Sequence, residues 1–212
     1  RHENWPLRAG DAVLGFLPMF HLFGMSELVV GGMITGARQV IMDAWDAERA
    51  VRLIEEERIA GLYGFETHYA DILSAQNRLK PDLSSLKFGG LPAGMENSNA
   101  VAARVQTALC PTVSGFGMSE IGCYVCVCTL NDTEEQRCTT SGRPSAGLDV
   151  RIIDPETGFE CKPGEVGEIL FRGYTVMRGY FRDPDATAKV IDAEGRVHIF
   201  GGREPGPEVT MR

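Results

Sequence analysis

The residues Ser114–Glu120 read SGFGMSE, a predicted strand end followed by two glycines that flank one residue, then a serine and a glutamate. Glycines in this arrangement let the backbone approach a ligand closely, as contact with a phosphate or an adenine requires. The Ser119 hydroxyl can donate to a phosphate, and the Glu120 carboxylate can bind Mg²⁺. Taken alone, however, the pattern favours an ordinary turn over a nucleotide site, because function has to be argued from a whole site.

The chain on either side of this segment alternates between short apolar runs and helical patterns. The predicted strands are Asp11–Pro18, Gln39–Met42, Gly61–Gly64, Leu86–Gly89 and Pro111–Phe116. The predicted helices are His21–Thr35, Ala47–Arg58, Thr67–Arg78 and Asn97–Leu109. Asp46 is the expected N-cap of the second of these helices. The alternation predicts an α/β fold with a mainly parallel sheet flanked by helices.

The pattern changes near Thr139. Two β-rich segments, Leu148–Asp154 and Gly167–Arg172, are separated by turn residues and predict antiparallel pairing. A short helix is predicted at Asp183–Val190. We therefore expect three parts: an α/β part at residues 1–138, a smaller β-rich, distorted barrel-like subdomain at 139–200, and a poorly ordered or non-native tail at 201–212.

Charge and composition exclude some classes of partner. The 212 residues carry a net charge of −8 and no long basic run, which disfavours nucleic acid and anionic membranes as main partners. The longest apolar stretch, Leu28–Ile34, is interrupted by glycines and is too short to span a membrane. Arg1–Arg8 is polar and lacks the apolar region of a signal peptide, so we expect a cytoplasmic protein whose six cysteines are reduced thiols.

Six motifs occur in order along the chain, and together they are far more specific than SGFGMSE alone. They are LPMFHLFG at Leu17–Gly24, FGGLP at Phe88–Pro92, GFGMSE at Gly115–Glu120, GRPSAGLDVRIID at Gly142–Asp154, GEVGEILFRGYTVMRGY at Gly164–Tyr180 and DPDATAK at Asp183–Lys189. Their order and spacing resemble the superfamily of adenylate-forming enzymes, which comprises acyl-CoA synthetases, luciferases and peptide-synthetase adenylation domains. The resemblance runs from about Asp11 to His198. The chain is similar to an internal fragment of an acyl-CoA synthetase.

This resemblance implies a two-step reaction. A carboxylate attacks the α-phosphorus of ATP and releases pyrophosphate, and the acyl-adenylate then passes to the thiol of coenzyme A. The protein would mainly hold two anions together and neutralise charge on the phosphates, with Mg²⁺ as a Lewis acid.

The resemblance also implies roles for individual residues. Glu120 would be the Mg²⁺ ligand, and Ser119, which stands where the family usually has threonine, would donate a hydrogen bond to a phosphate; both are candidate catalytic residues. Phe116 would lie near the adenine. The expected cofactor-binding residues are Gly89, Gly90, Leu91, Pro92, Gly115, Phe116, Gly117, Met118 and Ser119.

His21 is the third candidate catalytic residue. A lone histidine among aromatic and aliphatic neighbours is more often a core residue with satisfied hydrogen bonds. In the family, however, the histidine of FHxxG borders the acyl and thiol tunnel, so the resemblance implies that an uncharged His21 orients the carboxylate or gates the tunnel. Phe23 and Gly24 would line the substrate pocket, and the aromatic FHLFG segment favours a fatty acyl or aryl acid over an amino acid.

The sequence departs from the family pattern in three places. A Ser/Thr/Gly-rich phosphate loop would precede LPMFHLFG, and a small C-terminal domain with a catalytic lysine would follow the chain; we expect that domain of the same enzyme to be a missing partner. Gly195–Gly201 reads GRVHIFG where the family runs roughly GWxHTGD, so the aspartate that would bind the ribose hydroxyls is absent. We therefore expect the fragment alone to be inactive, while its parent is an AMP-forming acid–thiol ligase.

Two other interpretations stay open at this point. The chain could be a non-catalytic remnant that keeps the fold without turnover. Alternatively, four thiolates could hold zinc or an iron–sulfur cluster; these are Cys123, Cys126, Cys128 and Cys138. A strand over Tyr124–Leu130 and the lack of a second CxxC or a supporting histidine disfavour the metal.

Overall fold

The computed structural model of the protein describes residues 7–93 and 96–199. Its centre is a five-stranded sheet in the order β2-β1-β3-β4-β5, in which every neighbouring pair is parallel. The strands are β1 Ala12–Gly15, β2 Arg38–Ile41, β3 Ile59–Tyr63, β4 Phe88–Gly90 and β5 Thr112–Val113. The predicted α/β fold with a parallel sheet is confirmed.

Helices cover both faces of this sheet. The helices are a π-helix at Gly24–Val30, α1 Gly31–Thr35, α2 Ala47–Glu56, α3 Glu66–Leu79, α4 Glu96–Ala108, α5 Glu134–Thr139 and α6 Pro184–Val190. One core cluster joins the strands to α2, α3 and α4, and a second cluster on the opposite face joins them to the π-helix. The predicted cap of α2 is confirmed, because Asp46 Oδ1 accepts from Arg49 N at 2.9 Å.

The helix predicted at His21–Thr35 is regular only in its second half. Its first half is a π-helix, a wider turn that often occurs at functional sites. Ser26 Oγ donates to the Leu22 carbonyl at 2.8 Å and so competes with the backbone for an acceptor in this stretch. Hydrophobic periodicity cannot reveal such a change, because the apolar residues surround the whole helix.

The strand predicted at Pro111–Phe116 is divided between two sheets. Thr112–Val113 belongs to the parallel sheet, whereas the residues after Ser114 turn away into an antiparallel hairpin. That second sheet contains β6 Gly115–Met118, β7 Gly122–Val127 and β8 Arg143–Pro144. Antiparallel pairing therefore begins well before the change of pattern predicted near Thr139.

A third sheet, antiparallel in the order β11-β10-β9, forms the β-rich region predicted from the sequence. Its strands are β9 Leu148–Ile153, β10 Glu168–Gly173 and β11 Val197–Ile199. It shares a core cluster with β7, in which Phe116 stacks on Phe171 at 6.2 Å between ring centroids. The tail predicted at 201–212 lies outside the described residues, and within the described ones no helix has the length and apolarity to cross a membrane.

Candidate active site

The predicted site segments lie at one edge of the parallel sheet. Because the strands run in the same direction, the carboxyl ends of β1, β3, β4 and β5 all meet there. The chain steps to β2 on one side of β1 and to β3 on the other, and ligands of open α/β sheets bind outside the carboxyl ends at such a switch point. Leu17–Gly24 follows β1, Gly89–Pro92 closes β4, and Gly115–Glu120 follows β5.

Both glycines of β4 are packed too closely to carry a side chain. A Cβ on Gly89 would collide with the hydroxyl of Tyr69, a buried residue whose Oη lies 3.2 Å from the Gly90 carbonyl. The loop that follows is fixed to β5, because the buried Ser114 Oγ accepts from Ala93 N at 2.8 Å. The backbone at the end of β4 is therefore held rigidly by neighbouring side chains.

Leu91 and Pro92 contribute differently to this loop. The Leu91 side chain is fully buried in the core cluster shared with the helices, and its N–H donates to the Val113 carbonyl at 2.9 Å. Pro92 is half-buried. Leu91 therefore fixes the loop through packing, and any contact that it makes with a ligand would come from its backbone.

Three of the predicted segments meet around one ring, that of Tyr124 in β7. The Phe23 ring lies edge-on to it with 5.3 Å between centroids. A Cβ on Gly90 would lie 3.0 Å from Tyr124 Oη, and a Cβ on Gly115 would collide with the ring itself. Residues of the FHLFG, FGGLP and GFGMSE motifs therefore all pack around the side chain of Tyr124.

Glu120 lies at the turn between β6 and β7, and the β-rich region holds it from the other side. Glu120 Oε1 accepts from Tyr180 Oη at 2.9 Å, and the Glu120 carbonyl accepts from Met177 N at 2.7 Å. The hydrogen bond to Glu120 is the main cause that raises the pKa of Tyr180, so the phenol stays a neutral donor. Glu120 is half-buried and Ser119 is exposed, so both side chains are accessible to a ligand.

The residues at this turn fit a magnesium ion that arrives with a nucleotide. Among the described residues, no group of three or more His, Cys, Asp or Glu side chains could hold a metal ion. Mg²⁺ does not need such a group, because it is commonly bound by one or two carboxylates together with substrate phosphates and water. The single carboxylate of Glu120, next to the Ser119 hydroxyl, has the appropriate hard oxygen donors.

Phe116 and Gly117 have structural contacts of their own. Phe116 stacks on Phe171 of β10, and a Cβ on Gly117 would collide with the Gly122 carbonyl across the hairpin. The neighbouring Met118 packs partly against the same core cluster. Contact of Phe116, Gly117 and Met118 with adenine stays a prediction.

His21 is exposed at the start of the turn that leads into the π-helix. Its Nδ1 accepts from Phe23 N at 3.2 Å, so the neutral imidazole carries its proton on Nε2. Gly24 is required by the same turn, because a Cβ there would collide with the Pro18 carbonyl. The turn places His21 at the surface and Phe23 in the core beside Tyr124.

Aromatic side chains fill the space between the ends of β1 and β3. Phe16 packs on Trp45 and His68 with centroid separations of 4.4 and 5.0 Å. A Cβ on Gly64 would lie 3.2 Å from Phe16 Cζ. Burial lowers the pKa of His68, which favours the neutral ring in this cluster. Because this space is filled, the predicted site segments meet elsewhere on the same edge of the sheet, around Tyr124.

Sequence reasoning missed three residues of this region: Tyr124, Tyr180 and Glu27. Tyr124 and Tyr180 lie in or near quoted motifs, but only the fold shows what they contact. Glu27 could have been noticed as the single charge in the apolar stretch of the π-helix and α1. Burial raises the pKa of the Glu27 carboxyl to about 7, although hydrogen bonds with Ser26 and Cys123 partly oppose the shift.

Three of the four cysteines considered as metal ligands contact different partners. Cys123 lies near Ser26 and Glu27, Cys128 Sγ contacts the Gln136 carbonyl at 3.5 Å, and Cys138 Sγ accepts from Gln106 at 3.6 Å. Burial raises the pKa of both Cys123 and Cys126 to about 12, which favours the protonated thiol over the thiolate that a metal needs.

The family model of AMP-binding enzymes matches residues 1–181, so this chain belongs to the AMP-binding enzyme family. A 4-coumarate–CoA ligase of rice (Oryza sativa subsp. japonica) is 30% identical over 202 residues, which are 93% of this chain and 37% of that enzyme. A ligase of Rhodococcus jostii that joins CoA to a methyl-dioxo-octahydroindenyl propanoate is 34% identical over 190 residues, 89% of this chain and 34% of the relative. The chain thus spans little more than a third of the length of these curated relatives.

Solved structures share the fold. The ATP-bound MatB of Rhodopseudomonas palustris superposes with a TM-score of 0.80 at 20% identity, covering 92% of this chain and 38% of that one. The O-succinylbenzoate–CoA synthetase of Bacillus subtilis, in complex with ATP and magnesium ion, gives a TM-score of 0.77 at 22% identity, covering 92% and 39%. A Rhodopseudomonas palustris protein described as a putative long-chain-fatty-acid CoA ligase gives 0.76 at 27% identity, covering 95% and 52%.

Proposed function

We propose that this chain forms the central part of an AMP-forming carboxylic acid–CoA ligase that acts on a fatty acyl or aryl acid. The observation that carries the proposal is the meeting of three family motifs around Tyr124 at the carboxyl edge of the parallel sheet. Membership of the AMP-binding family supports a nucleotide at this edge. The rice and Rhodococcus relatives, both acid–CoA ligases by name, support CoA as the acceptor.

The proposed chemistry needs few covalent steps from the protein. The chain would hold the acid and ATP in contact, so that the carboxylate attacks the α-phosphorus and pyrophosphate leaves. Glu120 would be the carboxylate ligand of a Mg²⁺ that neutralises charge on the phosphates, and Ser119 would donate a hydrogen bond to a phosphate oxygen. Tyr180 would orient the Glu120 carboxylate through their 2.9 Å hydrogen bond.

On the acyl side, His21 would act at the surface, and the residues after it would form the pocket. With Nδ1 accepting from Phe23 N, the Nε2–H of His21 is the group that could donate to the carboxylate of the acid or to the carbonyl oxygen of the acyl group. Phe23 and Gly24 would line the acyl pocket. Gly89, Gly90 and Gly115 would let the backbone approach the nucleotide, because side chains are sterically excluded there.

We propose that this chain alone does not catalyse the reaction. The competing possibility is that the complete protein is also a non-catalytic remnant, which keeps the fold but has no turnover. The sequence Ile199–Gly201 stands where the family pattern has the ribose-binding aspartate, which favours that alternative. The ligase and the remnant are distinguished by assaying the complete polypeptide that carries this chain. Acid-dependent pyrophosphate release supports the ligase, and its absence with short, medium, long and aryl acids supports the remnant.

The role of Glu120 is tested in the same assay by Glu120→Gln. The variant keeps the shape and the hydrogen-bond acceptor for Tyr180 but loses the charge that binds Mg²⁺, so we expect kcat to fall by about 100-fold or more. The concentration of Mg²⁺ needed for half-maximal rate should also rise. The matched control is Glu66→Gln, on the first turn of α3, which should leave both quantities unchanged. An unaltered kcat and Mg²⁺ dependence in Glu120→Gln would remove Glu120 from the mechanism.

A further inference from the structure

The last residues of the GEVGEILFRGYTVMRGY motif pack against the turn that carries Glu120. Met177 N donates to the Glu120 carbonyl at 2.7 Å, and Tyr180 Oη donates to Glu120 Oε1 at 2.9 Å. A Cβ on Gly122, at the end of the same turn, would lie 3.2 Å from Thr175 Cβ. This part of the β-rich region therefore holds both the backbone and the side chain of the turn.

The hydrogen bond from Tyr180 fixes the Glu120 carboxylate without neutralising its charge. Among the described residues, Glu120 takes part in no salt bridge, and Oε1 is its one carboxylate oxygen that accepts a hydrogen bond. Asp149 of β9, by contrast, lies within 3.4 Å of Arg151 and 3.7 Å of Arg172. A cationic partner would compete with a metal ion for the carboxylate, whereas a neutral phenol does not. Glu120 Oε2 is therefore the oxygen that is left to bind a cation.

Tyr180 is itself held by α6 through its backbone. Tyr180 N donates to Thr187 Oγ1 at 2.9 Å, and Thr187 Oγ1 donates to the Asp183 carbonyl at 2.8 Å. A Cβ on Gly179 would collide with the Thr187 side chain, so the chain passes close to the helix here. Asp183 is the N-cap of α6, and its Oδ1 accepts from Ala186 N at 2.9 Å. The Thr187 hydroxyl thus connects the start of the helix to the backbone of Tyr180.

The position of the Glu120 carboxylate matters because a glutamate side chain on a turn has many rotamers. Holding that side chain in one rotamer costs conformational entropy. A partner that already holds the carboxylate in the free protein reduces this cost at the binding step. When a group that orients a metal ligand is removed, metal affinity typically falls by roughly 10–100-fold.

We propose that Thr187 and Tyr180 position the metal ligand of the site: Thr187 fixes the Tyr180 backbone, and Tyr180 holds Glu120 Oε1 so that Oε2 binds the Mg²⁺ of the nucleotide. This inference rests on the proposed ligase function, which supplies the nucleotide and its ion. Tyr180 and Thr187 are positioning residues, and neither touches the reacting atoms. The β-rich region and α6 thereby set the affinity of the site for the metal ion.

The test measures how much Mg²⁺ adds to nucleotide binding, using the complete polypeptide that carries this chain. The probe is α,β-methylene-ATP, which cannot release pyrophosphate, and its Kd is measured by calorimetry in EDTA and in saturating Mg²⁺. The ratio of the two Kd values reports the contribution of the metal ion without turnover. We expect the wild type to bind the probe about tenfold or more tightly with Mg²⁺.

Tyr180→Phe removes one hydroxyl from a side chain that is 39% exposed, so the fold should be kept. The Mg²⁺ ratio should fall to within about threefold, while the Kd in EDTA stays the same. In the pyrophosphate assay, the concentration of Mg²⁺ needed for half-maximal rate should rise by a similar factor, and KM for the acid should not change.

Two variants at Thr187 test the next link independently and serve if Tyr180→Phe does not fold. Thr187→Val removes the acceptor of Tyr180 N and should lower the Mg²⁺ ratio by about threefold or more, whereas Thr187→Ser keeps the hydroxyl and should keep the wild-type ratio. The matched control for the phenol is Tyr174→Phe, on the same segment, whose ring packs beside Gly147. It should also keep the wild-type ratio.

The outcomes separate this inference from the function on which it rests. A wild-type ratio in Tyr180→Phe, together with a reduced ratio in Glu120→Gln, overturns the inference and leaves Glu120 as the metal ligand. Equal losses of affinity in EDTA and in Mg²⁺ in Tyr180→Phe also overturn it, because that result indicates a structural role. Nucleotide affinity of the wild type that does not depend on Mg²⁺, or no pyrophosphate with any acid, contradicts the ligase function itself, and the positioning proposal falls with it.

Discussion

At Tyr124, the backbone and the side chain are both held in states that cost free energy. The residue has a φ of 47°, in the left-handed region that side chains other than glycine rarely adopt, while its hydroxyl is buried without a described partner. Each of these features costs on the order of 1 kcal/mol or more. Strain of this kind concentrates at ligand sites, and Phe23 and Gly115 both pack closely against the ring of this residue.

The unpaired hydroxyl leads to a stability prediction. Tyr124→Phe keeps the ring contacts and removes only the unsatisfied group, so the free energy of unfolding should stay the same or rise by about 1–3 kcal/mol. Urea unfolding of this chain, followed by circular dichroism, measures the change. Tyr69→Phe is the contrasting variant, because its hydroxyl bridges the Leu62 and Gly90 carbonyls and its loss should destabilise the fold. A clear loss of stability in Tyr124→Phe would show that its hydroxyl is paired within the fold.

Glu27 predicts a pH dependence of stability with a definite sign. Its pKa rises from an ordinary 4.5 to about 7 on folding, mainly through burial, so the folded state holds the proton more tightly than the unfolded state. The contribution of Glu27 to the free energy of unfolding is therefore fully present below pH 4.5. It is lost as the pH rises toward and through 7, and the total loss is roughly 3 kcal/mol. Ser26, Cys123 and Tyr124 are the groups that interact with it.

Glu27→Gln removes this titration while keeping the shape of the side chain. The stability of the variant relative to the wild type should increase between pH 5 and pH 8, measured as the difference between two urea midpoints at each pH. Glu56→Gln, on an exposed face of α2, should show no such trend. A relative stability that is flat across this range would mean that Glu27 is solvated in the folded protein.

The turn between β1 and the π-helix illustrates how one element positions the site. Gly24 has no space for a side chain because a Cβ would collide with the Pro18 carbonyl. A Cβ on Gly31, later in the same helical stretch, would lie 3.4 Å from the Ser26 carbonyl oxygen, an ordinary contact distance. The first glycine is a steric requirement of the turn that carries His21. The second is an ordinary helical position.

These two glycines form a matched pair of variants. Gly24→Ala should lower the free energy of unfolding by about 1–3 kcal/mol, because the backbone of the turn has to shift. Gly31→Ala should leave it unchanged or raise it by up to about 1 kcal/mol, since alanine favours the helix. Thermal unfolding of both variants measures these changes in stability, and equal changes in the two variants would contradict the role assigned to Gly24.

Strands and helices with a regular hydrophobic period could be predicted from the sequence, whereas local departures from regular structure could not. The five parallel strands and the cap at Asp46 follow from apolar runs and a short polar side chain, which act locally. The division of Pro111–Phe116 between two sheets depends on partners far along the chain, since β6 pairs with β7. The π-helix likewise depends on a side-chain hydrogen bond that hydrophobic spacing does not report.

In the molecule as a whole, the motifs predicted candidate site residues, but only the fold shows which other residues contact them. Glu120 and Ser119 were singled out through the family resemblance of the GFGMSE motif, whereas Tyr180 reaches Glu120 from a segment 60 residues away. Tyr124 was quoted only as part of a strand, and its contacts with Phe23, Gly90 and Gly115 come from three separate segments. Such long-range contacts leave no periodic trace in one sequence.

For the whole molecule, the proposed ligase function requires that the acid be activated as an adenylate at the edge of the parallel sheet. The most direct measurement uses the complete polypeptide with ATP, Mg²⁺, CoA and an accepted acid whose two carboxylate oxygens are ¹⁸O. Attack of that carboxylate on the α-phosphorus places one labelled oxygen between carbon and phosphorus, and AMP keeps it when the thiol takes the acyl group. If the proposed function is correct, mass spectrometry will find AMP with one ¹⁸O; unlabelled AMP, or label found in inorganic phosphate, would contradict it.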